Sequence, residues 1–182
     1  MAPLNDFVAR MRYRDRLAGA RPKLYQLAYA WCHDPQLADD LVQEAYTKAL
    51  RNLDQLRSSD RLEAWLCSIL SNCYRDHYRR RREAADIDEL PLAGEGDPEL
   101  NAERDSVVGQ VRRAIAQLSD DHRMVVTLVD LMDCSYQEVA GILDIPIGTV
   151  MSRLCRARSR LREILTSMRV APEARPALRR VK

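Results

Sequence analysis

The stretch from Ser135 to Leu165, SYQEVAGILDIPIGTVMSRLCRARSRLREIL, leaves a folding chain few options, because two helical patterns lie there on either side of a proline. Ser135 followed three residues later by Glu138 has the form of a capping box, and Val139, Ala140, Ile142 and Leu143 supply the apolar stripe of a short helix. Pro146 disfavours a helical conformation at Ile145, so the chain must turn there. Asp144 stands where many such turns carry glycine, and aspartate tolerates the left-handed conformation better than most residues. Thr149 is expected to cap the next helix. At about 100° per residue, Val150, Leu154, Ala157, Leu161, Ile164 and Leu165 fall on one side of that helix, and Ser152, Arg153, Arg156 and Arg160 on the other. A solvated basic face would explain the arginines alone. The capped short helix, the proline turn and the longer basic helix together have the form of a helix-turn-helix, whose second helix enters the major groove, where Arg reaches guanine bidentately.

The rest of the chain limits what can surround this unit. Its 182 residues suffice for one ordinary domain or two small helical ones, and the 46% of hydrophobic residues permits a core. The 29 Lys and Arg nearly balance 27 Asp and Glu, for a net charge of +2, so any nucleic-acid footprint has to come from segregation of charge. Six glycines and abundant Ala, Leu, Arg and Glu point to an all-α protein. No apolar run reaches membrane-spanning length and the N-terminus lacks a signal-peptide core, so a cytoplasmic location without membrane insertion is expected. Cys32, Cys67, Cys73, Cys134 and Cys155 form no C-x-x-C pair, which fits reduced thiols inside a cell rather than a disulfide framework. Cys73 and His77 lie four apart on a predicted helix, but two ligands do not make a zinc site, and no metal is expected. No Gly-rich phosphate loop, nucleophile motif or acidic pair calls for a cofactor or for catalysis.

Up to about Cys32, residues Leu17, Leu24, Leu27, Ala28 and Trp31 keep helical spacing around an interruption at Gly19 to Pro22, which fits one long kinked helix or two shorter ones. Asp34 before Pro35 is a start signal for a helix to about Leu53, with Leu37, Leu41, Ala45 and Ala49 buried and Asp39, Asp40, Gln43 and Glu44 forming an acidic and amide-bearing patch. After a polar turn at Arg57 to Asp60, Leu62, Trp65, Leu66, Ile69 and Cys73 are expected on the packed side of a third helix. Ser68, Ser71, Asn72, Arg75, Tyr78 and Arg79 fall on the other side, ahead of a basic run at Arg79 to Arg82. Amide, hydroxyl, aromatic and guanidinium groups of this kind hold single-stranded bases by stacking and by hydrogen bonds to exposed edges.

Composition then changes. Residues 83–105 are rich in Asp, Glu, Pro and Gly and read as a flexible acidic linker. It divides the chain into helical domains at 1–82 and 106–167. In the second, Val107, Val108, Val111, Ile115 and Leu118 mark one helix, and Met124, Val125, Leu128, Val129 and Leu131 another, capped by Ser119 or Asp120. With the opening motif they make a four-helix domain. A basic tail, 168–182, is expected to be disordered.

Three stretches, taken in order, resemble a bacterial sigma factor of the extracytoplasmic-function group within the sigma-70 family. LADDLVQEAYTKAL resembles the helix that docks on the polymerase clamp; AWLCSILSNCYRDHYRRRR resembles the segment that opens and reads the minus-ten element. The stretch from Ala114 to Glu163 resembles the region that reads the minus-thirty-five element and touches the polymerase flap. The resemblance implies that Asp40, Gln43 and Glu44 contact the clamp coiled coil of the largest subunit, that Asn72 helps capture a flipped base, and that Ser152, Arg153 and Arg156 make major-groove contacts. The reading of helix faces adds Asp39 to the first set, Ser68, Arg75, Tyr78 and Arg79 to the second, and Thr149 and Arg160 to the third. Met151 departs from the pattern, in which Lys or Arg is frequent. The resemblance further implies core RNA polymerase, promoter DNA in duplex and single-stranded form, and an anti-sigma factor as partners of a chain that is monomeric when free. Two other classes compete: a dimeric helix-turn-helix repressor, which has no use for the clamp-like helix, and a sigma mimic that sequesters an anti-sigma factor, which has no use for the arginines of the recognition face.

Overall fold

The computed structural model describes residues 3–53, 61–85 and 106–170. The expected acidic linker from 86 to 105 and the tail beyond 170 lie outside the described residues. Seven helices and no strand are present among the described residues, so the fold is all-α. None of these helices is long and apolar enough to cross a membrane.

Helix α1 (Pro3–Cys32) is one continuous helix with Pro22 inside it, which decides between the two forms the sequence allowed. It stops at His33, whose φ of 54° is left-handed and whose N–H returns to the Tyr29 carbonyl at 2.9 Å. Asp34 then opens α2 (Pro35–Arg51): its carboxylate accepts from the N–H groups of Gln36 and Leu37 at 2.9 and 3.1 Å, with Pro35 in the first turn, where no partner for its nitrogen is needed. The helix ends at Arg51, two residues short of the expected Leu53. Helix α3 (Leu62–Ala85) continues past the expected boundary at Arg82. These helices bury Leu24, Leu27, Trp31, Leu41, Val42, Leu66 and Leu70, and each such side chain contributes ~1.5–3 kcal/mol.

The second half comprises α4 (Val107–Ala116), α5 (Asp120–Asp130), α6 (Tyr136–Leu143) and α7 (Ile147–Val170). The Ser106 hydroxyl caps α4 through the Gly109 N–H. Ser135 and Glu138 form both bonds of the capping box on α6, and Asp144 takes the left-handed conformation at φ 53° that closes it. The step between α6 and α7 is therefore the turn the sequence required. Thr149, however, does not cap α7. The helix starts at Ile147, and the Thr149 and Val150 N–H groups bond to the Pro146 carbonyl, so the first turn is already formed when Thr149 is reached. Helix α7 also runs to Val170, past the boundary expected at 167.

The two halves are packed on each other. Helix α1 rests against α5 and α4, α3 rests against α6, and one hydrophobic cluster runs through both halves. This packing explains two departures from the sequence pattern. On α3, Cys67, Ser71 and Tyr74 are buried, whereas Trp65 and Ile69 are only half-buried, because α6 covers a flank that would face solvent in an isolated three-helix domain. On α4, the buried positions are Gly109 and Ala114. Val107, Val108 and Val111, with Leu131 beyond α5, stay open to solvent and line a groove beside Tyr25 and Tyr29.

Candidate functional site

Three polar faces stand out, one each on α2, α3 and α7. On α2 the inward stripe of Ala38, Leu41, Val42, Ala45 and Ala49 turns the acid and amide groups outward. Asp40 and Gln43 are exposed. Asp39 is tied down: Arg21 Nη2 lies 2.6 Å from its carboxylate, and Gln43 Nε2 donates to it at 2.7 Å. Glu44 pairs with Lys48 at 2.8 Å and has Arg80 of α3 at 3.9 Å. This hydrogen bond holds the Lys48 ammonium above its ordinary pKa. The patch is thus acidic at Asp40 and internally neutralised on both sides of it, a surface for a partner that presents cations and amides.

On α3, Asn72 is exposed and its amide points away from the core. Ser68 bonds its own helix at the Trp65 carbonyl, 2.7 Å away. Arg79 pairs with Asp76 at 2.9 Å, and Arg80 Nε donates to the Asp76 carbonyl oxygen at 3.3 Å. Two members of the face are engaged instead, Arg75 by the second half and Tyr78 by its own helix. Arg75 donates to the buried Ser71 hydroxyl at 2.8 Å and to the Ile142 carbonyl of α6 at 3.2 Å. Tyr78 is half-buried, with its ring centroid 4.7 Å from that of Tyr74, which in turn lies 5.4 Å from Trp31. Burial pushes both phenols up from their ordinary pKa. The structure therefore leaves Asn72 and Arg79 exposed with Ser68 half-buried beside them, ties the exposed Arg75 to the second half, and half-buries Tyr78 against Tyr74. Cys73, buried in the core, and His77, edge-on to Tyr78, hold no third candidate ligand; no metal-binding group of three is found among the described residues.

On α7, Val150, Leu154, Ala157 and Ile164 are buried, and Ser152, Arg156 and Arg160 are exposed. Arg160 pairs with Glu163 at 3.0 Å on its own helix, and the Ser152 hydroxyl bonds the Thr149 carbonyl at 3.1 Å. Arg153 is drawn back to α5, where its guanidinium meets Asp121 at 2.7 Å. Arg156 has no hydrogen-bond or ion-pair partner among the described residues and projects from the centre of the face, beside the exposed Met151. A guanidinium on an exposed helix face with no intramolecular carboxylate is the group best placed to meet phosphate or a guanine edge.

The residues that hold the halves together were not legible as functional in the sequence. Arg123 is buried in α5 and donates to the carbonyls of Trp31 at 2.6 Å, Ala116 at 3.1 Å and Leu118 at 2.8 Å, so that it closes the ends of α1 and α4 at once. Thr127, also buried, accepts the Trp31 indole N–H. The one available signal was the position of Arg123, since a cation in the first turn of a helix runs against the macrodipole and has to be compensated elsewhere. Next to it, burial and secondarily the Arg123 charge lower the His33 imidazole to a pKa of about 4.

Residues 18–84 match the model of sigma-70 region 2, and residues 109–161 that of sigma-70, region 4. The chain is 36% identical over 165 residues to the ECF RNA polymerase sigma factor EcfG of Rhodopseudomonas palustris (strain TIE-1), spanning 90% of this chain and 87% of the relative. It is 34% identical over 155 residues to the RNA polymerase sigma-H factor of Pseudomonas aeruginosa, spanning 79% and 80% of the two chains. Among solved structures it is similar to the sigma factor RpoE of Bartonella quintana, crystallised in complex with the anti-sigma factor NepR, with a TM-score of 0.75 and 32% identity over 85% of this chain and 97% of that one.

Proposed function

The chain belongs to the sigma-70 family, in the extracytoplasmic-function group of RNA polymerase sigma factors, and from that premise we propose which of its surfaces carry the work. The α2 patch centred on Asp40 and Gln43, flanked by Asp39 and Glu44, docks on the clamp coiled coil of core polymerase. The face of Ser68, Asn72, Tyr78 and Arg79 on α3 receives the non-template strand of the minus-ten element, with Arg75 joining it once it is released from the second half. Ser152, Arg153, Arg156 and Arg160 of α7 read the minus-thirty-five element from the major groove, with Thr149 at the entry of that helix. Each reader is weak alone and gains from its tethered neighbour by effective concentration.

The observation that carries this reading is the order and exposure of the three faces along one chain: a polar acidic face on α2, an amide-bearing face running into a basic one on α3, and an arginine face on α7 after a capped turn. A repressor has no use for the first, and a sequestering mimic has no use for the third. The chain's part is binding rather than bond-making, and it works beside the polymerase in the cytoplasm. An anti-sigma partner is part of the reading, supported by the complex in which the similar structure was captured.

In the closed arrangement, Arg75 is spent on the Ile142 carbonyl, and Tyr78 is half-buried against Tyr74. Reading both promoter elements therefore requires the halves to part on the polymerase. Run-off transcription with purified core polymerase on a genomic library tests the reading: promoter-dependent products are expected only with the chain present. Asn72→Ala is expected to lower open-complex formation on duplex promoters and to be rescued in part by a premelted template, since unstacking costs a few kcal/mol. Duplex DNA bound tightly by a dimer of the chain alone, with no effect on core polymerase, would favour the repressor instead.

A further inference from the structure

Helix α5 grips α7 through two carboxylates. Asp121 Oδ2 lies 2.7 Å from Arg153 Nη2, and Arg158 donates to both oxygens of Asp130, from Nη2 at 2.5 Å and from Nε at 3.3 Å. The two arginines fall on opposite flanks of α7. Arg153 sits about 60° around the helix from Arg156, on the side shared with Thr149 and Arg160. Arg158 lies across the buried stripe of Val150, Leu154 and Ala157 from them. One pair therefore stands at the edge of the recognition face and the other outside it. Asp121 is in the first turn of α5, where the helix dipole favours a carboxylate, and its neighbour Asp120 is turned to Arg123 at 3.5 Å. Pairing does not hide Arg153, whose side chain keeps 27% of its surface open.

We propose that Asp121 is a specificity-determining residue that acts through Arg153, fixing its guanidinium so that the rest of the fork meets a guanine edge. The inference rests on the reading above, that Arg153 faces the major groove of the upstream element. A guanidinium offers planar, directional donors, and one nitrogen committed to a carboxylate sets the plane in which the others lie. A bidentate contact to O6 and N7 of guanine needs that plane fixed, whereas a phosphate contact carries no base information. The charge of Asp121 works in the same direction. It offsets that of Arg153, so the pair adds little to the salt-dependent attraction to any DNA, and the contribution of Arg153 comes from the base it meets. As surface ion pairs, Asp121 with Arg153 and Asp130 with Arg158 each add little to stability. A role confined to holding α5 on α7 would make the two carboxylates equivalent, and a positioning role sets Asp121 apart.

Run-off transcription with core polymerase and the full chain, on promoters that carry each base in turn at every position of the upstream element, reads the preference directly. Arg153→Ala is expected to flatten the preference at one position. Asp121→Asn is expected to flatten the same position, lowering its guanine preference by roughly 5-fold or more, the low end of what a bidentate arginine contact supplies. It also raises binding of the holoenzyme to an upstream-scrambled promoter, with a steeper salt dependence. Asp121→Glu, which keeps the carboxylate, restores part of the preference, and Asp121→Asn combined with Arg153→Ala loses no more than Arg153→Ala alone. Asp130→Asn leaves the preference at every position as it is. Thermal midpoints check that each variant is folded. A wild-type profile in Asp121→Asn beside a flattened one in Arg153→Ala would overturn the inference alone. Equal flattening in Asp121→Asn and Asp130→Asn would also overturn it, and would reduce Asp121 to a tether between helices. An unflattened profile in Arg153→Ala would overturn the reading of Arg153 in the major groove, and the inference with it.

Discussion

The Trp31 indole N–H donates to the Thr127 hydroxyl at 2.8 Å, tying the end of α1 to the middle of α5. The same tryptophan offers its carbonyl to Arg123 at 2.6 Å and to the Tyr74 hydroxyl at 3.2 Å. The residue that completes the core of the first half is therefore also the seat of the second. Trp31→Phe keeps most of the apolar area and removes the donor, while Thr127 retains its own bond to the Arg123 carbonyl. A loss of ~1 kcal/mol is expected, measured as a lower midpoint of chemical denaturation. An unchanged midpoint would show that this bond adds nothing to closure.

His33 gives stability a pH dependence with a definite sign. Its folded pKa of about 4 lies below the 6.5 of a free imidazole, so the unfolded chain takes up the proton more readily. The stability that His33 brings is complete above the unfolded value and is lost as pH falls from there toward the folded one. His33→Asn, which suits the left-handed backbone at this position, is expected to flatten that part of the profile. Denaturation curves at a series of pH values check it; a variant with the wild-type slope would assign the acid sensitivity to other groups.

Asp40→Ala with Gln43→Ala is expected to leave the thermal midpoint unchanged and to weaken core polymerase binding by ~1–3 kcal/mol, because both side chains are exposed opposite the buried stripe of α2. Asp39 is the less informative target, since its loss also releases Arg21. Co-purification of the double variant with core polymerase at wild-type yield would contradict the docking face.

Arg156→Ala is expected to impair use of the upstream promoter element by ~1–3 kcal/mol if the contact is bidentate to guanine, and by less if it is to phosphate. Arg153→Ala carries an added effect, since it also breaks the pair with Asp121. Transcription from matched and upstream-scrambled promoters separates the two: equal losses on both templates for Arg156→Ala would remove it from sequence reading.

The parts of the fold legible in the sequence were those fixed by local chemistry. Ser135 with Glu138, Asp34 with Pro35, and Asp144 before Ile145 and Pro146 each satisfy helix ends through neighbours a few residues away, and the structure has each of them in place. The junction was not legible, because its groups meet only through the tertiary fold. Cys67, Ser71 and Tyr74 sit beside the stripe that periodicity marks as the packed face of α3, and nothing nearby in the chain signals that α6 will cover them. Val107, Val108 and Val111 mislead in the opposite sense, since an apolar pattern marks what can be buried and not what the halves find room to bury. The same cause displaced one member of the candidate face: Arg75 has the chemistry for holding bases, but in the closed chain it serves the junction.

Promoter reading by this chain depends on the parting of its halves. Fluorophores introduced through unnatural amino acids at the exposed Arg51 of α2 and Arg162 of α7 report the separation by energy transfer in the free chain and in complex with core polymerase on a promoter. High transfer in the free chain and a marked fall on the polymerase are expected, with the free state loosened in Trp31→Phe. Transfer that stays high in a complex that is transcribing would show that the promoter is read without opening, and would contradict the central claim.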